Sequence, residues 1–433
     1  MKYFYILFIM LGSITTLNAE TLRSALDQDL PSVMTKVVDW RHYFHANPEL
    51  SNREFKTQAS IVEALTAMGL EPNTSYGMTG VTAFIRGQNA GPLIALRADI
   101  DGLPVTEKLN LPFSSNVRTD YQGNDVGVMH ACGHDSHISI LLGVANFLAN
   151  NTDKLQGDIL LIFQPAEEGA PAGEEGGAEL MLKEGLFDSE KPDAIFGLHV
   201  YNGPHGEIML KPGPAMASAE AFRITIEGKQ THGSRPWEGA DPIVAAFNVG
   251  TTMQTIVSRR LNLLDSQAVV SIGIIKAGTR NNIIPSTAML EGTIRTFKDE
   301  YASKIRDEIK LIAENIAEAH HATAKVDFQI YGGYPVTFND LELSKNYADS
   351  LIEAADGSYF ESPVPRTGAE DFSFFAKEVP GLFFFLGVNP VGADASPTNH
   401  SPFFYVDDDA LDTGVKAFVN LVEDFSTDFN AAN

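Results

Sequence analysis

Cysteine is almost missing from this chain: among 433 residues there is one, Cys132. A lone thiol excludes an internal disulfide framework, so stability has to come from a packed core or from bound ions. Positive charge is also scarce. The 31 Lys and Arg stand against 56 Asp and Glu, a formal net charge of −25. Such an excess repels phosphate backbones, which argues against a nucleic-acid partner, and it tolerates bound cations. Beyond the N-terminus no apolar stretch is long enough to span a bilayer. The G-x-S-x-G elbow of serine hydrolases occurs nowhere. What is present is 44% hydrophobic and 20% charged residues, the balance of a globular enzyme, in a chain long enough for two domains.

Lys2 precedes an apolar run from Tyr3 to Leu17, and Asn18-Ala19-Glu20 follows it. That is the layout of a secretory signal peptide over residues 1–19, cleaved after Ala19, and it predicts an exported protein, periplasmic or secreted. Leu17 departs from the small residue usual three positions before the cut. No cysteine follows the cut, so no lipid anchor is expected. A single thiol in an oxidising compartment is easiest to understand if a metal holds it.

That thiol lies in the densest chemical stretch of the chain, Val-Met-His-Ala-Cys-Gly-His-Asp-Ser-His over 128–137, with three of the 11 histidines. Imidazole and thiolate are the borderline-soft donors that Zn²⁺ and its neighbours prefer. Cys132 and His134 flank Gly133, so the backbone can bend until both side chains meet. The apolar run 138–148 reads as a buried helix. Upstream, 21–68 has helical periodicity broken at Pro48, and His42 and His45 on it read as packing or capping residues. Strand 92–98 runs into Asp99-Ile-Asp101, a carboxylate pair suited to orienting a metal site. Strand 157–163 ends in Gln164-Pro-Ala-Glu-Glu-Gly169, where one acid can ligate while its neighbour stays free as general base. The acidic loop 170–177 beside it reads as solvated. Strand 193–200 ends at His199, which is either a satisfied core histidine or a ligand. Such strand ends are where ligand sites gather in α/β sheets.

After Pro212-Gly-Pro214 the rhythm changes to strand, helix, strand, strand, helix, strand over 219–331, the order of a ferredoxin-like module. His320 and His321, at the end of its second helix, read as surface residues. The chain then returns to its first domain, with His400 between a strand at 382–388 and a helix at 408–425. The expected architecture is α/β. A catalytic domain, 20–214 and 332–433, holds a mixed central sheet flanked by helices, and 215–331 forms an inserted βαββαβ domain.

Several stretches, taken together and in order, resemble the M20 metallopeptidases, in the amidohydrolase branch of hippurate, auxin–amino-acid conjugate and N-acyl-amino-acid hydrolases. They are Arg41-His-Tyr-Phe-His-Ala-Asn-Pro-Glu-Leu50, Arg97-Ala-Asp-Ile-Asp-Gly-Leu-Pro104, Met129 to Asp135, Gln164 to Gly169, Gly197-Leu-His199, His232 with Gly233-Ser-Arg-Pro236, Asn282-Ile-Ile-Pro285, Gly292-Thr-Ile-Arg295 and Asn399-His-Ser-Pro402. The resemblance implies a site for two divalent ions, Zn²⁺ or Mn²⁺. Cys132 would bridge them, with His134, Glu168, His199 and His400 as further ligands. Glu167 matches the general base and Asp101 a residue that orients the site. The inserted domain would be a lid and a dimerisation surface. From it His232 would polarise the scissile carbonyl in the partner subunit's site, while Asn282 and Arg295 hold the substrate's carboxylate. The segment 170–177 is an insertion found in some members only, and it bears on the acyl side of the substrate.

The expectation is therefore an exported homodimeric amidohydrolase acting on N-acyl or N-aroyl L-amino acids. A carboxypeptidase or dipeptidase on short peptides is the alternative within the class. From another class, the alternative is a catalytically silent small-ligand-binding protein, which a lost ligand or lost base would favour; neither is lost.

Overall fold

The computed structural model of the protein describes residues 20–393 and 396–432. The expected signal peptide lies outside the described residues. Helix α1 (Leu22–Ala46) is capped by Thr21, whose hydroxyl accepts from the Ser24 N–H at 3.2 Å, and it buries Leu22, Leu26, Val33, Val37 and Phe44 along one stripe. Helix α2 (Phe55–Ala67) follows the break at Pro48.

A seven-stranded sheet forms the body. Its strands in chain order are β1 (Val81–Arg86), β2 (Asn89–Asp99), β3 (Gln156–Gln164), β4 (Ala194–Tyr201), β5 (Ile208–Leu210), and two more that come after a long excursion of the chain. That excursion carries β6 (Ala219–Glu227), β7 (Ala268–Ala277), β8 (Thr287–Thr296) and β9 (Thr323–Tyr334), and the body sheet then gains β10 (Tyr359–Glu361) and β11 (Gly381–Gly387). The spatial order in the body is β1-β3-β2-β4-β11-β5-β10. Strands β3, β2, β4 and β11 run parallel, β1 is antiparallel to β3, and β5 is antiparallel to β11 while β10 runs parallel to β5, so the sheet is mixed. The central strands are apolar on both faces because helices cover both. Helices α1, α3 (His134–Ala149) and the C-terminal helix Leu411–Ala432 cover one face. A phenylalanine-rich layer with Phe372, Phe375, Phe383 and Phe385 fills the other.

The excursion builds a separate four-stranded antiparallel sheet, order β7-β8-β6-β9. Helices α4 (Pro242–Met253) and α5 (Asp299–Ala319) pack on it around a core of its own, Phe222, Ile224, Val249, Leu290, Ile305 and Ile309 among its members. The element order is the βαββαβ read from the sequence. Helix α4 ends at Met253 and passes into a wider turn, Ile256–Arg260, and after the excursion the chain forms two short helices, Leu341–Asn346 and Ala348–Ala354, interrupted at Tyr347. No helix among the described residues is long and apolar enough to cross a membrane.

Candidate metal centre and active site

The parallel strands β2, β3 and β4 end side by side, with Asp99 opposite Gln164 and Arg97 opposite Gly197. The loops leaving those ends bring the acids and histidines together. Gly133 caps α3 at φ 94°, and a Cβ there would lie 2.3 Å from Val200 Cγ2. Only glycine permits that approach, which presses the Cys132 loop against β4.

Cys132 Sγ lies 3.3 Å from His199 Nε2 and 3.2 Å from His400 Nε2. It belongs to two donor groups at once, Cys132 with His134 and His199, and Cys132 with Glu168 and His400, each with ligand atoms within 4.8 Å of one another. The tautomers follow from the partners. His199 Nδ1 is 2.7 Å from the Val200 carbonyl, which can only accept, so its proton sits there and Nε2 carries the lone pair. His134 Nδ1 is 3.2 Å from Asp101 Oδ1, which turns its Nε2 toward the same group. That Nε2 is buried without a hydrogen-bond partner, 3.9 Å from a carboxylate oxygen of each of Glu167 and Glu168. His400 reaches the group from a positive φ of 68°, its N–H bonded to Ala131 O at 2.8 Å, and Asn399 Nδ2 bonds the Cys132 carbonyl at 3.0 Å. Thiol, imidazoles with bare nitrogens and a carboxylate around one sulfur fit two divalent cations.

Charge says the same. Burial and the Glu168 and Glu167 carboxylates push the Cys132 thiol well up. Burial, with Glu370 and Glu168, pushes Glu167 well above the usual carboxylate range. On His134 burial opposes charge, but Asp99 and Asp101 outweigh it and raise the imidazole to about 10. His199, buried beside His137, is driven the other way and stays neutral. The acids in this pocket outnumber the fixed cations around them, a surplus that bound cations would neutralise.

His137 shares the cluster without a free donor: Nδ1 is 2.5 Å from Asp99 Oδ1, and Nε2 accepts from the Val200 N–H at 2.9 Å. His45 is likewise committed, 2.8 Å from Asp135 and 3.3 Å from Glu107, and His42 lies 2.7 Å from Asp408, so both are structural as expected.

The acidic turn is held from three sides. Ala166 adopts φ 53°, costly for a residue with a Cβ, and its N–H bonds Glu54 Oε1 at 2.9 Å. The Glu167 and Glu168 N–H groups bond the two oxygens of Asp101 at 3.1 and 3.0 Å. The Tyr334 hydroxyl, at the end of β9, donates to the Glu167 carbonyl at 2.5 Å. Asp101 thus orients both the paired acids and His134. The loop 170–177 is less free than its composition suggests, since Arg53 Nη1 and Asn52 Nδ2 hold Glu174 at 3.0 and 3.2 Å.

Sequence reasoning passed over Arg97, Glu370 and Asp371. Arg97 is fully buried and bonds Asp99 at 2.7 Å, Glu370 at 2.8 Å, Asp371 at 2.9 Å and Gln164 at 2.8 Å. Glu370 and Asp371 face the Glu167 carboxylate. The available signal was Arg97 itself, a charge inside an apolar strand, which demands buried acids as partners.

The remaining three expected residues lie elsewhere. His232 is exposed on a short pairing beside the second sheet, opposite Ile283, with Ser234 on its Nδ1, and the adjacent Asn282 carbonyl accepts from Gly233. Arg295, near the end of β8, bonds Thr293 and the Ile294 carbonyl. Among the described residues no hydrogen bond or ion pair links these three to the Cys132 cluster.

A mixed sheet bearing a thiol–imidazole–carboxylate cluster at its strand ends defines the class, a metallohydrolase. The chain belongs to peptidase family M20/M25/M40, whose model matches residues 95–424. It is 38% identical over 403 residues to thermostable carboxypeptidase 2 of Saccharolobus solfataricus, covering 93% of this chain and 98% of that protein. It is also 38% identical over 398 residues to the N-acetyl-L-cysteine deacetylase of Bacillus subtilis, covering 91% of this chain and 88% of the relative. The crystal structure of the Bacillus subtilis YXEP protein, described as a dinuclear metal binding peptidase from the M20 family, superposes with a TM-score of 0.74 at 33% identity, over 92% of this chain and 99% of that one. The chain is thus a metal-dependent hydrolase acting on amides, which answers the silent-binding alternative.

Proposed function

We propose that the protein is a two-metal amidohydrolase that cleaves the amide of N-acyl or N-aroyl L-amino acids bearing a free α-carboxylate. The observation that carries this is the single sulfur of Cys132 shared by two donor groups. Cys132, His134, Glu168, His199 and His400 would hold two divalent ions of the Zn²⁺ or Mn²⁺ kind. Bound there, such ions supply Lewis acidity to the amide carbonyl and to the attacking water. Glu167 takes the water's proton and returns it to the leaving amine. Burial and the facing Glu370 strengthen its hold on that proton between the two transfers. Asp101 fixes the turn on which Glu167 and Glu168 sit.

Asn282 and Arg295 bind the substrate's α-carboxylate, and His232 polarises its carbonyl, in the site of the partner subunit. The free outer edge of β7 supports such a dimer. So does the apolar surface beside it, with Phe247 60% and Ile275 52% exposed around a shallow groove of about 260 Å³. Export rests on the N-terminal apolar run and its basic start. The likeness to a carboxypeptidase favours a second reading, a carboxypeptidase or dipeptidase acting on short peptides, whose C-terminal amide and free carboxylate present the same groups.

The two adjacent acids provide the test. Glu167→Gln keeps size but cannot accept a proton, so kcat should fall roughly 10²–10⁴-fold with metal content and KM little changed. Glu168→Gln should instead lose metal, and excess metal should restore part of the rate. Metal loss in the first variant but not the second would swap the roles. Full activity in both would overturn the proposal.

A further inference from the structure

In a chain so rich in acid, a buried guanidinium normally finds a carboxylate. Arg41 has Asp135 at 3.3 Å and Arg97 has Asp99 at 2.7 Å. Arg366 is half-buried and different. Its guanidinium carbon lies 4.5 Å from the ring centroids of both Tyr201 and Phe385, and among the described residues it has no ion pair and no side-chain hydrogen bond. Stacking on aromatic faces compensates a cation in part and leaves the N–H groups at its edge unspent. Burial pulls this guanidinium below the usual arginine range. A half-buried fork that no protein group satisfies keeps its N–H groups available to an anionic ligand.

Its mounting is rigid. The Arg366 N–H bonds Ala215 O at 2.8 Å, and its carbonyl accepts from the Ala217 N–H at 3.0 Å. The Tyr201 ring is fixed by its hydroxyl, 2.9 Å from Glu207. Its place is beside the metal cluster. Tyr201 follows His199 by two residues on β4 and so shares its face. Phe385 pairs with His199 in register on β11, with ring centroids 6.4 Å apart. The same segment runs on from Arg366 to Glu370 and Asp371, which face Glu167.

We propose that Arg366, on its wall of Tyr201 and Phe385, is an anion subsite that binds a second carboxylate of the substrate, beyond the α-carboxylate. That carboxylate belongs either to an acidic side chain or to a dicarboxylic acyl group. The planar fork matches a carboxylate bidentately, and the aromatic wall keeps water from competing. This rests on the amidohydrolase reading for the identity of the substrate, but not for the existence of the subsite.

Metal-loaded full-length protein should therefore be assayed on two matched pairs, N-acetyl-L-glutamate against N-acetyl-L-glutamine and N-succinyl-L-alanine against N-butyryl-L-alanine. The acidic member of one pair should be preferred about tenfold or more in kcat/KM, and the pair that shows it identifies the source of the carboxylate. Arg366→Met should collapse that ratio towards one through a higher KM for the acidic member, and Arg366→Lys should restore part of it. Calorimetric titration with glutarate reads the subsite without turnover: the wild type should bind it at least about tenfold tighter than Arg366→Met. If no amide is cleaved but this difference holds, the subsite stands and the amidohydrolase reading falls. The subsite is overturned by no preference in either pair in the wild type, or by equal glutarate affinity in both proteins. An acid-to-neutral ratio that survives Arg366→Met also overturns it, and makes the guanidinium a brace for the two rings.

Discussion

One sulfur at Cys132 has to answer to two donor groups, and this fixes what its loss would do. Alanine there leaves His134 and His199 on one side and Glu168 and His400 on the other with no shared anion between them. Cys132→Ala should lose at least one ion per chain by elemental analysis, and nearly all turnover with it. Retention of both ions would remove Cys132 from the site. The donor types gathered around Cys132 were legible in the sequence because a lone thiol among histidines has few other uses. Their companions were less so. Glu370 and Asp371 sit in Gly-Ala-Glu-Asp, which reads as an ordinary turn, and nothing local announces that Arg97 reaches them from 273 positions away.

Among the elements, the turn from Ala166 to Gly169 decides the geometry of both acids. Its N–H groups have no partner within the turn at Glu167 and Glu168, and Asp101 supplies one oxygen to each while also accepting from Ser51 at 2.7 Å and holding His134. An asparagine cannot accept at both positions, since one oxygen becomes a donor. Asp101→Asn should weaken metal binding or turnover by roughly 10–100-fold, the usual effect of losing a group that orients a ligand. Competition with a graded chelator checks the affinity directly. Unchanged metal affinity and rate would show that the backbone holds the turn unaided. Strand ends such as Asp99 and Gln164 could be read in advance, because an apolar run that stops at a polar residue marks an edge of the core, whereas the strand expected to end at His199 runs on to Tyr201. The left-handed Ala166 could not, since alanine carries no preference for that region and the conformation is imposed by Glu54 and Tyr334 from distant parts of the chain.

For the whole molecule, the order of elements was legible and their mutual placement was not. Alternating periods of two and 3.6 residues gave the four strands and two helices between Ala219 and Tyr334, but periodicity says nothing about which surface faces which. His232 shows why this matters. It stands exposed on the second sheet, and among the described residues no hydrogen bond or ion pair ties it to the Cys132 cluster. A group so placed reaches the reaction only through a large closure of its own chain or from a second copy. The free edge of β7 and the exposed apolar face of α4 favour the second copy. Mixing discriminates between the two routes. His232→Ala and Glu168→Ala chains, each inactive alone, form heterodimers in which one composite site has both defects and the other has none. With random pairing, half the dimers are mixed and one site in two is intact, so about a quarter of the activity should return. Gel filtration or mass measurement of the mixture must show that subunits exchange. Exchange without recovery would place His232 in its own subunit's reaction or outside the reaction altogether.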